Sequence, residues 1–182
     1  MPLPRWAVWI DIEGFGILYG QENRVLIALC DLMEGIYRIG SLCYPRNPNR
    51  IFAHQTGDGF VLVSEFGSES LEVPVAVAIA LMRHVSHGGR FAKAAIGDGD
   101  FADIMGCYPQ CVLDARAPDS PKTVNMGDSL MTLFPVMGTA LIDAVGVAKR
   151  SPKGALLVAD AAARLRLPDG CKISDENNAI LC

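Results

Sequence analysis

The sequence predicts an α/β protein of the α+β kind, with a ferredoxin-like βαββαβ core and a C-terminal extension, on three observations. Strand-like apolar runs and helix-period stretches follow one another in the order strand, helix, strand, strand, helix, strand, which is the split βαβ arrangement. An Asp-Gly turn joins the second and third strand-like runs, and a type I′ turn needs the positive φ that these residues tolerate. The 182 residues are 51% hydrophobic and 20% charged, a balance that suits a single globular domain over 1–182 and excludes a disordered chain or a coiled coil.

Trp6 to Ile12 is rich in Val, Ile and Trp and runs into Gly14 and Gly16, so it predicts a buried strand ending in a tight turn. From Glu22 to about Ile39 the period changes: Val25, Leu26, Leu29, Leu32, Met33 and Ile36 recur at three- and four-residue intervals and mark an amphipathic helix. Proline and asparagine make 43–49 a loop. Ile51 to Gln55 and Phe60 to Phe66 flank the Thr56-Gly57-Asp58-Gly59 turn as a hairpin. Leu71 to His87 predicts a second helix, with Pro74 tolerable in its first turn and Gly88-Gly89 stopping it. Arg90 to Ile96 is the fourth strand. Gly97 to Thr123 is rich in Gly, Asp and Pro and yields no element. Met137 to Lys149 predicts a helix, Ala155 to Val158 a strand, and Ala161 to Leu165 a short helix.

Sixteen basic against 20 acidic residues give a net charge of −4, which builds in no attraction to nucleic acid or to an anionic membrane surface. The longest apolar stretch, Val73 to Met82, is well short of the roughly 18–20 residues that span a bilayer. The N-terminus meets acidic residues before an apolar run is complete, so no secretory signal is expected and the location expected is cytoplasmic. The six cysteines are scattered through apolar contexts and are expected to be reduced. Cys107 and Cys111 lack a second Cys or His pair to complete a zinc site. Three further groups have simpler structural readings. His84 and His87 suit a helix C-terminus; Asp98, Asp100 and Asp103 lack the bidentate Glu of a calcium loop; and Met33 and Met82 are core filler.

Two aspartates carry the chemistry. In a split βαβ sheet the first and third strands are neighbours, so the hairpin bearing Asp58 falls beside the end of the strand bearing Asp11. Two carboxylates there suit one or two hard cations, Mg²⁺ or Mn²⁺. Such cations keep ligand positions for phosphate, so a nucleoside triphosphate is the expected partner. Gly14 and Gly16 flank Phe15 at the strand-to-helix turn, where backbone N–H groups can point at a triphosphate, helped by the positive end of the following helix.

These residues resemble a known family. Trp9-Ile10-Asp11-Ile12-Glu13-Gly14-Phe15 is similar to the D-I-x-G-F signature of class III nucleotidyl cyclase catalytic domains, and Thr56-Gly57-Asp58-Gly59-Phe60-Val61-Leu62 to their second metal-aspartate hairpin. Lys93 to Gly99 resembles the R-x-G-I-x-x-G strand, Gly138 to Ala144 the helix that comes later, and Pro152 to Val158 the P-G-x-I-x-V strand after it. The resemblance implies that Asp11, the Ile12 backbone and Asp58 hold two metal ions, that Ile12 to Gly16 bind the triphosphate, and that the chain works as a homodimer with interfacial sites. It also implies departures. His54 stands at the family's base-contacting Lys and Pro135 at its adenine-reading Asp; Ile142 and Gly146 stand at its transition-state Asn and Arg, unless Thr123-Val124-Asn125 is the matching segment. Metal aspartates kept beside altered purine-reading positions resemble divergent cyclases of the Pycsar type, which make cyclic pyrimidine nucleotides in bacterial antiphage signalling. Lys93 and His54 would then contact substrate phosphate or base. The alternative expectation is a degenerate cyclase-homology domain that binds nucleotide or dimerises and regulates a partner.

Overall fold

The computed structural model describes residues 4–20, 23–44, 46, 50–176 and 178–181. They form two compact units, one of Met1–Asp100 with Thr139–Cys182 and one of Phe101–Gly138.

In the first unit the main sheet is built from β1 (Arg5–Ile12), β2 (Ile51–Thr56), β3 (Gly59–Ser64), β4 (Ala92–Gly99) and β10 (Leu157–Ala159). The sheet order is β10-β4-β1-β3-β2, with β1 antiparallel to both neighbours and β10 parallel to β4. The expected adjacency of the first and third strands is present, with Asp11 opposite Gly59. The central strand is covered on both faces, which is why β1 reads as a nearly continuous apolar run. On one face Trp6, Val8 and Ile10 join Leu32 and Ile36 of α2 (Asn23–Arg38) and Leu81 and Val85 of α3 (Glu72–His87). On the other face Ala95 and Val158 pack with Val147 of α5 (Thr139–Arg150).

Small residues set how near α5 lies. A Cβ built on Gly97 of β4 would fall 2.1 Å from the Ala140 carbonyl oxygen and 2.6 Å from the Ala144 nitrogen, so helix backbone rests directly on strand backbone. Ala140 and Ala144 are fully buried at this contact. The start of α5 is fixed by Asp100: Thr139 donates to its Oδ1 through both the backbone N–H and the hydroxyl, at 3.2 and 2.5 Å. Asp98 pairs with Arg166, and Asp103 accepts the Met105 N–H at 2.7 Å, so the three aspartates serve structural purposes. His87 meets the Arg83 carbonyl through Nδ1 at 2.7 Å, a helix-end role.

Arg166 ends the 3₁₀ turn Ala161–Arg166 and ties three segments together. Its guanidinium donates to Asp98 and to the Ser68 carbonyl, while its own carbonyl accepts the Leu71 N–H at 2.7 Å. Arg166→Ala leaves the half-buried Asp98 without its partner and is expected to cost about 2 kcal/mol. Urea denaturation at pH 7 checks this, and an unchanged midpoint would show the pair to be incidental.

The second unit occupies the stretch where the sequence gives no element. Here β5 (Ala102–Asp103) pairs with β9 (Val136–Met137), and after α4 (Gln110–Asp114) come β6 (Arg116–Ala117), β7 (Ser120–Met126) and β8 (Ser129–Thr132) as a small meander. Its strands are short and mostly exposed, with Val124 buried at 2%, so the alternation that announces a half-buried strand is faint. Cys107 and Cys111 are exposed thiols. Elsewhere the expected elements stand with ends shifted by one to three residues, the largest shift being that of β4, which runs to Gly99 rather than ending at the expected Ile96. The helix start at Glu22 lies outside the described residues.

Candidate active site

Where β1 ends, its last residues enter a cavity of about 450 Å³ in the first unit. Asp11, Ile12, Gly14, Phe15, Gly16, Asp58 and Lys93 all line it. Seven of the eight residues singled out from the sequence are therefore brought together. The eighth, His54, is not: it sits on β2 opposite Val61, away from the cavity lining. Three residues along an edge strand and its turn separate His54 from Asp58, and that distance is enough to take it out of the pocket.

Asp11 is carried in by the central strand, and one of its carboxylate oxygens, Oδ1, is buried without a hydrogen-bond partner. Burial most of all, then the negative charge of Asp58 and that of Glu13, push its carboxyl up to about 6, with Lys93 pulling the other way. Such a raised carboxyl marks a place built for positive charge that the protein itself does not fully supply. Lys93 is fully engaged, its ammonium 2.9 Å from Glu13 in a pair that is 8% and 19% exposed. That pair cancels within the wall. It leaves Asp11 and Asp58 as the acidic side of the cavity.

The hairpin reaches Asp11 because Gly59 lacks a side chain. A Cβ there would lie 2.6 Å from the Ile10 carbonyl oxygen and 2.9 Å from the Asp11 Cβ. Gly59→Ala is expected to push β3 away from β1 at that point. It should lower stability by about 1–3 kcal/mol. Thermal melts check this, and an unchanged midpoint would show that the close approach of the strands is not under strain at Gly59.

Gly14 takes a left-handed φ of 78° and starts α1 (Phe15–Leu18), a single turn of four residues. The turn that directly follows Gly14 is α1, while the long helix α2 stands where the sequence places it, with its described residues running from Asn23. One turn carries little macrodipole, so positive potential at this loop comes from individual first-turn N–H groups. Gly16 has nothing within 4 Å of where a Cβ would sit, and no packing in the protein demands glycine there.

Sequence reasoning missed part of the cavity lining. Lys149, Ser151 and Lys153, at and just beyond the end of α5, complete the lining. The basic run Lys149-Arg150-Ser151-Pro152-Lys153 was the available signal, but its place at the cavity that Asp11 lines depends on how α5 packs. Arg150 is turned elsewhere: its Nη1 lies 3.1 Å from the Cβ position of Gly146, and Nη2 is 4.0 Å from Asp160. Ile142 is exposed on α5.

Among the described residues no group of three or more His, Cys, Asp or Glu side chains is arranged to hold a metal ion. The donor set present is two carboxylates with one unpartnered buried oxygen, which suits a hard cation that takes its other ligands from phosphate and water. Among the described residues no helix is long and apolar enough to cross a membrane.

Among solved structures the chain is similar to a bacterial light-regulated adenylyl cyclase, with a TM-score of 0.59 and 12% identity. The match covers 99% of this chain and 51% of that one, so the chain spans about half the length of that protein. The fold is class III cyclase-like. At this identity the likeness concerns architecture, and chemistry must be argued from the site. No protein-family profile matches the chain, and no curated protein does.

Proposed function

We propose that the chain is a divergent class III nucleotidyl cyclase that converts a nucleoside triphosphate, UTP or CTP in the first instance, into a 3′,5′-cyclic nucleotide and pyrophosphate. The observation that carries this reading is the unpartnered, buried Asp11 oxygen in a cavity that Asp58 and a glycine loop also line. Asp11, Asp58 and the Ile12 carbonyl are the groups that would hold two Mg²⁺ or Mn²⁺ ions. When bound, these supply Lewis acidity toward the ribose 3′-OH and charge neutralisation at the triphosphate.

The chain's own residues do the positioning. Gly14 opens the loop, and the open space over Gly16 lets phosphate oxygens approach backbone N–H groups. The Lys93–Glu13 pair braces the wall next to Asp11. The 3′ oxygen forms its bond to the α-phosphorus as the bond to the β-phosphate oxygen breaks. Pyrophosphate departs and the hydroxyl proton passes to solvent. Alignment and charge neutralisation supply most of the acceleration in such a displacement. We propose a homodimer as the working form, as the family resemblance implies, with antiphage signalling as its setting.

A second reading is favoured by α5. Ile142 and Gly146 carry no polar side chain where the resemblance expects the transition-state Asn and Arg, as in a regulatory domain that binds nucleotide without turning it over. Incubation of the purified chain with ATP, GTP, CTP and UTP, with Mg²⁺ and separately with Mn²⁺, followed by mass spectrometry, separates the two. A cyclic product names the base. Product from none of the four, with metal-dependent nucleotide binding intact, selects the regulatory domain.

A further inference from the structure

The charges lining the cavity go beyond those the motifs supply. Lys93 and Glu13 neutralise one another, and the aspartates Asp11 and Asp58 form an acidic face. Lys149 and Lys153 enter the same cavity from α5 and the turn after it, and among the described residues neither ammonium has a carboxylate partner. A cation near a helix C-terminus is favourable by itself, which accounts for basic residues at this end of α5. It does not account for both lysines lining the cavity while Arg150, between them, turns toward Gly146 and Asp160. Their placement is fixed by structure: α5 is seated by its backbone contact at Gly97, and the Ser151 hydroxyl donates to the Val147 carbonyl at 2.8 Å, holding the turn from which Lys153 extends.

Two carboxylates and two unpaired ammoniums lining one cavity of about 450 Å³ describe a ligand with a cationic end and a strongly anionic end. A polyphosphate chelated to divalent cations has that form. We infer that Lys149 and Lys153 grip the terminal phosphate of the substrate and so select triphosphates over diphosphates. This rests on the reading of the cavity as a metal–nucleotide site and adds to it two residues to which neither the resemblance nor the comparisons give a role.

The test uses the full chain with Mn²⁺ and two base-free probes, inorganic tripolyphosphate and pyrophosphate, titrated calorimetrically, with UTP and UDP in parallel. In the Lys149→Ala/Lys153→Ala variant the affinity for tripolyphosphate and UTP is expected to fall by about 10-fold or more, and that for pyrophosphate and UDP by about 3-fold or less, while Lys149→Arg/Lys153→Arg restores it. Both lysines are exposed, so the variants should melt with the parent chain. Equal loss for tri- and diphosphates would reduce the lysines to general attraction and overturn the inference, as would no loss at all. In both cases binding by the parent chain that Asp11→Asn abolishes would leave the metal–nucleotide reading standing. A parent chain that binds none of the four probes overturns both.

Discussion

Asp11→Ala or Asp58→Ala is expected to abolish cyclic-nucleotide formation, by about 10³-fold or more, because each removes one of the two carboxylates on which the charge balance of the cavity depends. Product quantified by mass spectrometry checks this, and turnover within 10-fold of the parent chain would sink the assignment. The same residue gives an opposite result in stability. The folded value of about 6 for Asp11 lies above the ordinary 3.8, so between these values the folded chain holds a proton that the unfolded chain has released. Stability without bound cation therefore falls as pH rises through that window, and the loss is complete above about pH 6. Asp11→Asn removes the charge while keeping the shape. It should raise unfolding free energy at pH 7–8 by on the order of 1 kcal/mol, after allowance for solvent screening at this partly exposed group, and change nothing near pH 3. A site that gains stability when its function is removed is the trade-off expected of charge held ready for a ligand.

Gly97→Ala is expected to be the most damaging single-methyl change in the first unit, costing about 3 kcal/mol. Its Cβ would meet the Ala140 carbonyl and the Ala144 nitrogen, atoms that no side-chain rotation can move aside. The strand and helix must separate. Chemical denaturation measures the cost, and a second change sharpens it: Ala144→Gly should not rescue Gly97→Ala, because the obstruction is helix backbone. Because α5 also delivers Lys149 and Lys153 to the cavity, the variant should bind metal-chelated triphosphate more weakly even at temperatures where it remains folded.

The core was legible because its signals are local or follow from simple topology. The run from Trp6 to Ile12 is apolar on both faces, and the periodic apolar residues of α2 announce a helix with one buried side. The hairpin register is set by a two-residue turn, which the structure places at Gly57-Asp58 with Gly57 at φ 65° rather than at the expected Asp58-Gly59, and a split βαβ order makes β1 and β3 neighbours. The meeting of Asp11 and Asp58 in one cavity thus follows from sequence order alone. The 101–138 unit was not legible, since short exposed strands leave little alternation to read.

The sequence by itself determined the α+β core, the two aspartates and the glycine loop, because strand period, turn chemistry and strand order are encoded within short stretches. Only the tertiary structure decided that Lys93 is taken by Glu13, that His54 stands outside the cavity, and that Lys149 and Lys153 stand inside it. Each of those outcomes depends on how closely two distant segments approach, and that distance is set by packing contacts such as Ala140 on Gly97, which no local pattern records.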